Sequence, residues 1–255
     1  MPTLDGAQSW LDRAEEHLNE LRALETMRLD YERERTTSGI KTHVETGSIA
    51  HYLAEGPPRT EDVDRARVLV GETIQALRRT LDYIVFQVAF LDSGSEQNDT
   101  QFPIDEHPET FWRRLKRSER GTRDHSCYLI GVDRKHAAVF ERYQPYKGTQ
   151  WTPLLQAISN RDKHRRLAII IPSARVERGE VGQADESVQA GDDGFTYTLI
   201  TKDGVYMKFP IRAFVTFEDG LPVVQTLEEL KAEVASVLEE FKPCMEGQCS
   251  HSAPP

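Results

Sequence analysis

Cysteine is scarce in this 255-residue chain, with only Cys127, Cys244 and Cys249. Three thiols cannot build a disulfide framework, so a small stapled secreted scaffold is excluded and a reducing, cytoplasmic compartment is expected. Long hydrophobic runs are missing too. The longest, Tyr83 to Leu91, is about half a membrane span and is interrupted by Gln87. Residues 1–20 have no basic region leading into an apolar one, so no secretory signal is expected there. Hydrophobic residues make up 38% of the chain and charged residues 29%. That is lean for a globular protein, though enough for a core beneath a polar surface. Positive charge is in deficit, 32 basic against 42 acidic side chains, and the net charge of −10 argues against bulk attraction to nucleic acid. No P-loop, GxGxxG, GxSxG or HExxH pattern occurs, so no cofactor is expected. Cys244, Cys249 and His251 lack a fourth ligand, and no metal is assigned to them.

What is present begins with helical periodicity. Leu11, Ala14, Leu18, Leu21 and Leu24 recur at steps of three and four, predicting an amphipathic helix over 7–35. Residues 39–55, around Gly47-Ser48, suit a hairpin. Thr60 is placed to cap a second helix over 61–91, whose stripe runs Ala66, Val70, Ile74, Leu77, Leu81, Ile84, Val88. Its apolar end, Tyr83 to Leu91, is expected at the centre of the core. Shorter helices are predicted at 111–117 and 133–141. Another begins with Thr152 as cap and Pro153 at the first helical position, and runs to about Leu167. There the period changes to two. Leu167–Ile171 reads as a strand, 179–194 as a mobile acidic loop, 195–200 and 205–211 as a hairpin about Asp203-Gly204, and 213–217 as a further strand. Thr226 and Glu229 form a capping-box pattern for a closing helix to Phe241.

The fold class expected is therefore α+β: a helical core of long antiparallel helices, a small antiparallel β-sheet and a C-terminal helix. It forms a single domain over 1–241, with 1–168 mainly helical, 167–241 carrying the sheet and closing helix, and 242–255 a disordered tail.

Charge is unevenly spread. Between Arg113 and Arg166 fourteen bases face five acids, a local balance of +9 that leaves −19 elsewhere. These bases either pair with the acidic elements of the same molecule or make a phosphate-attracting surface, in which Arg113, Arg114 and Arg117 take part. The densest cluster is Ser159-Asn160-Arg161-Asp162-Lys163-His164-Arg165-Arg166. On a helix, Asn160 and His164 are i,i+4 neighbours, and Arg161 lies towards the same side. An amide, an imidazole and guanidinium groups are then within reach of one anion. Metal-free RNA cleavage needs a base for the ribose 2′-hydroxyl and a fixed cation beside the phosphorus, which histidine and arginine can supply. Alternatively, Asn160 and His164 satisfy backbone groups where the helix meets the sheet.

Leu77-Arg78-Arg79-Thr80-Leu81-Asp82-Tyr83 on the long helix, followed at a distance by Ser159 to Arg165, resembles the helical HEPN superfamily. The chain is also similar to bacterial proteins sharing an Asn-x-x-Lys-His-Arg element. HEPN proteins are small helical bundles, often dimeric, and many are metal-independent ribonucleases of toxin–antitoxin or phage-defence systems. Their signature is an arginine, commonly followed by asparagine, with a histidine five positions after the arginine. His164 and Asn160 match it, while Ser159 occupies the arginine position. The resemblance implies a cytoplasmic homodimer. It is either a degenerate member that binds RNA, a nucleotide or a protein partner through Asn160, Lys163, Arg166 and the 113–117 bases, or an endoribonuclease. In the latter, His164 is the general base and Arg161 or Arg165 the replacement cation.

Overall fold

The second predicted helix is the best-buried part of the molecule. In a computed structural model, α2 spans Thr60–Ser93, and Val70, Ile74, Leu77, Leu81, Ile84 and Val88 are all fully buried at alternating steps of four and three. Threonines on the same helix bury their hydroxyls by donating one turn back, Thr73 to the Leu69 carbonyl at 2.7 Å and Thr80 to that of Ala76 at 3.0 Å. The structure describes residues 1–38, 60–119, 128–164, 169–170, 175–176, 180–183, 195–200, 205–212, 215–217 and 220–248. The hairpin expected at 39–55 lies outside them.

Among the described residues six α-helices dominate, and the protein is mostly helical. They are α1 (Asp5–Ser38), α2, α3 (Pro108–Glu119), α4 (Arg134–Arg142), α5 (Trp151–His164) and α6 (Val223–Met245). A single 3-10 turn, Pro145–Lys147, joins α4 to α5. The chain divides into two compact units: residues 1–18, 69–167 and 225–255 form the first, and 19–68 and 168–224 the second.

In the first unit, α1 meets α2 closely where Gly6 lies under Tyr83. A β-carbon at Gly6 would come within 2.4 Å of Tyr83 Cε1, so any other residue there would displace the Tyr83 ring. The close contact does not bury Tyr83, which is 40% exposed. The apolar end of α2 contributes one face to the core: Ile84, Val85, Val88 and Ala89 are fully buried, while Phe86, Gln87, Phe90 and Leu91 are half-buried. Phe102, Phe140 and Phe241 form an aromatic cluster within the core, Phe140 stacking on Phe241 at 4.6 Å between ring centroids and meeting Phe102 edge-on at 5.8 Å.

Helix boundaries differ from expectation for identifiable reasons. α5 starts at Trp151, and the Thr152 hydroxyl donates back to the Tyr143 carbonyl at 2.9 Å instead of capping the helix. α6 starts at Val223, ahead of the Thr226–Glu229 pattern, because the Val223 N–H is already satisfied by the Val215 carbonyl at 2.8 Å. It also runs through Pro243 to Met245, so residues 242–245 are helix and not tail. Cys244 continues the buried stripe of Val234, Val237 and Phe241, and Gly247, at φ +75°, closes the end in the left-handed conformation.

In the second unit the Arg65 guanidinium pairs with Glu20, joining α2 to α1, and Glu25 accepts the Val215 N–H at 3.3 Å. Strand segments accompany these helices: β1 (Ile169–Ile170), β2 (Arg175–Val176), β3 (Glu180–Gln183), β4 (Phe195–Ile200), β5 (Val205–Arg212) and β6 (Thr216–Phe217). β5 pairs antiparallel with β4, from Phe195 opposite Ile211 to Ile200 opposite Tyr206. It also pairs with β2 and β3, while β1 pairs with β6. Glu180–Gln183, assigned to a mobile loop from its acidic, glycine-containing composition, is instead laddered against Val205–Lys208.

Candidate functional site

Helix α5 carries most of the residues that the sequence singles out. Leu155, Ile158 and Ser159 are buried and form its inner face, whereas Asn160 and Arg161 are solvent-exposed. Ser159 is 2% exposed, and its Oγ has no hydrogen-bond partner among the described residues. Position 159 is therefore an interior one, where a guanidinium would have to leave water. His164 ends the helix. Its side chain and that of Lys163, and all of Arg165 and Arg166, lie outside the described residues. Of the proposed set the structure thus brings Asn160 and Arg161 together on one face.

The bases on α3 have separate fates. Arg113 is exposed. Arg114 turns inward, its Nε and Nη2 donating to Asp105 Oδ1 at 3.1 and 2.9 Å, with the guanidinium 4.3 Å from the centre of the Tyr128 ring. The Arg117 side chain lies outside the described residues. Farther along, Arg142 pairs with Glu240, and Lys147 lies 3.3 Å from Glu141. Part of the basic segment is therefore matched by acids of the same molecule.

The first turn of α5 makes a different surface. There Gln150, Trp151 and Leu154 face Thr226, Glu229, Leu230 and Glu233 of α6 across a cleft of about 380 Å³. The Trp151 ring is held by Tyr143, 6.1 Å away in an edge-on contact, and by Phe102 at 6.4 Å. The Tyr143 hydroxyl donates to Glu240. Burial first, then that hydrogen bond and the charges of Glu240 and Glu233, push its phenol well above the ordinary tyrosine range. Tyr146, donating to Glu141 at 3.0 Å, is pushed upward by burial and by Glu141 in the same way. Sequence reasoning missed the cleft. Its local traces are the aromatic group Tyr143, Tyr146 and Trp151 and the i,i+4 spacing of Glu229 and Glu233, which any solvated helix face shares.

Two carboxylates are buried deeper in this unit. Asp92, at the end of α2, accepts from His136 Nδ1 at 2.8 Å and from the Asp133 N–H at 2.8 Å, so it fastens the start of α4. Both side chains are at most 2% exposed, so the bond lies in the interior of this unit. Asp105 uses Oδ1 for Arg114, while its Oδ2 is buried with no partner among the described residues. Its N–H donates to Gln144 Oε1 at 2.9 Å, and Gln144 Nε2 returns to the Pro103 and Phe140 carbonyls. Among the described residues no group of three histidine, cysteine, aspartate or glutamate side chains is placed to hold a metal ion. No helix among them is long and apolar enough to cross a membrane.

Compared with known proteins, the chain matches no family profile, no curated protein and no solved structure.

Proposed function

We propose that this is a non-catalytic, degenerate HEPN-like protein that binds RNA through the outer face of α5 and the bases of α3. The observation that carries this reading is the burial of Ser159. The HEPN-type arginine is missing from the sequence, and the position itself points into the interior, so no side chain there presents a cation to a scissile phosphate. Loss of a preorganised cation of this kind removes on the order of 3 kcal/mol of transition-state stabilisation, which a displaced arginine does not readily restore. Asn160, Arg161 and Arg113 remain at the surface, the residue types that contact phosphate and sugar. The same reading takes the molecule as an α+β protein in which a small antiparallel sheet accompanies the helices. It takes the assembly as a cytoplasmic homodimer of the kind met in toxin–antitoxin and phage-defence systems.

Incubation of the purified chain with total RNA in the absence of divalent metal, followed by filter binding across a salt series, tests it. The expected result is intact RNA and retention that falls with salt. Retention should weaken further in Arg113→Glu and Arg161→Glu, with a shallower salt dependence as phosphate contacts are removed. Cleavage that disappears in His164→Ala would replace this reading with the endoribonuclease one. Sedimentation of a 29.1 kDa species at tens of micromolar would refute the dimer.

A further inference from the structure

We propose that the cleft between α5 and α6 binds an alkylguanidinium cation, either as a free small molecule or as an arginine side chain of a polypeptide. The proposal goes beyond the RNA reading and does not rest on it, since an acidic cleft repels phosphate.

The cleft has the dimensions and make-up of a small-ligand site. Its volume of about 380 Å³ falls within the range of such sites, and apolar walls from Trp151, Leu154 and Leu230 stand beside a few polar groups. No lysine, arginine or histidine lines it. Glu229 and Glu233 are one helical turn apart on α6 and both are exposed, so two negative charges line the same cleft as the Trp151 ring, with no cation among the lining residues to balance them. Gln225 Nε2 donates to Glu229 Oε1 at 2.9 Å, fixing that carboxylate, and the negative field of Glu233 extends to the phenol of Tyr143.

The Trp151 ring is a fixed platform. Tyr143 and Phe102 back it, and the Thr152 hydroxyl ties the first turn of α5 to the Tyr143 carbonyl. A cation that stacks on a preset indole therefore does not also have to order it. Guanidinium meets these demands better than ammonium. It is planar and weakly hydrated, it lies flat on an aromatic face, and its N–H fork reaches a carboxylate at the edge of that face. An ammonium is a compact, strongly hydrated charge that loses more on entering a half-apolar cleft. The alkyl stem would rest on Leu154 and Leu230.

The test follows the indole N–H resonances of the whole chain, with Trp151 assigned through Trp151→Phe, while agmatine, butylamine or the tripeptide amide Gly-Arg-Gly is added. Agmatine is expected to shift the Trp151 resonance saturably, at least several-fold more tightly than butylamine. Affinity should drop about tenfold or more in Glu229→Gln/Glu233→Gln, for which an unchanged thermal midpoint reports intact folding. Binding of the tripeptide at a strength similar to agmatine assigns the site to arginine side chains. Binding of agmatine alone assigns it to a free cation. Absence of saturation with both guanidinium probes, equal binding of butylamine, or undiminished binding to the double glutamine variant would each overturn the proposal.

Discussion

At its first turn α5 is tied on several sides: the Thr152 hydroxyl to the Tyr143 carbonyl at 2.9 Å, and the Trp151 ring against Tyr143 and Phe102. Near its other end, Ser159 is just as buried, yet its hydroxyl has no partner among the described residues, and the next two residues face solvent. The helix is 14 residues long, roughly 20 Å at the usual rise. One end therefore makes an aromatic, acidic cleft and the other presents the Asn160 amide and the Arg161 guanidinium to solvent. The contrast separates a signature's residue types from its geometry. Asn160 and Arg161 are exposed, whereas Ser159, the position the sequence comparison equates with an arginine, is turned into the protein.

The largest effect that tests this contrast is Ser159→Arg, which restores the signature in letters. If the position is interior, the variant buries a charge or forces the helix outward, and it should lose on the order of 3 kcal/mol or more of stability without acquiring ribonuclease activity. Chemical denaturation together with an RNA-cleavage assay measures both. A stable Ser159→Arg protein that cleaves RNA would show that the position opens to the surface, and the comparison would collapse.

Much of the helical part is legible beforehand because it rests on short-range periodicity. The steps of α2 from Val70 to Val88 name its buried face directly. What is not legible depends on partners distant in sequence. His136 and Asp92 are 44 residues apart and no spacing signals their bond. The start of α6 is set by the Val215 carbonyl, outside the helix, and not by the local Thr226–Glu229 pattern. The cleft at Trp151 needs two helices to be brought face to face. For the site itself, the sequence names the residue types on α5 but not which of them is buried, because Ser159 and Asn160 are adjacent and equally polar.

Next in size is a response confined to the first-turn end. The Tyr143 phenol stays protonated in the folded chain well above the pH at which an unfolded tyrosine ionises, near 10, because of its burial and its bond to Glu240. Tyr146 behaves alike beside Glu141. Above about pH 10 the unfolded chain therefore binds fewer protons than the folded one, and stability falls as pH rises; below pH 10 these two groups contribute no pH dependence. Urea midpoints should be level between pH 8 and 9 with respect to these tyrosines and should drop beyond 10, with tyrosinate absorbance appearing as the protein unfolds. Tyr143→Phe should blunt the drop. A midpoint that is insensitive to Tyr143→Phe at pH 11 would break the assignment.

Thr152→Val is smaller. It keeps the shape of a fully buried side chain and removes only the bond to the Tyr143 carbonyl. Loss of one buried neutral hydrogen bond, with its acceptor left behind, is worth about 1–2 kcal/mol. A change near zero would mean that the carbonyl finds another donor and that the first turn is held by aromatic packing alone.

The smallest effect is predicted for Ser159→Ala, and it divides the two ends of the helix most directly. A hydroxyl buried without a partner has given up its bonds to water and receives none in return. Removing it costs the folded state little packing, since only one oxygen goes, and relieves that desolvation penalty. Alanine also has a better helix propensity than serine, by a few tenths of a kcal/mol. The two contributions have the same sign, so the variant should be as stable as the parent chain or more stable by up to about 1 kcal/mol, opposite in direction to Thr152→Val seven residues earlier. RNA retention should be unchanged, because Ser159 contributes nothing to the outer face. A loss of 1 kcal/mol or more in a denaturation midpoint would show that the Ser159 hydroxyl is bonded in solution and that the far end of α5 is as fully satisfied as the near one.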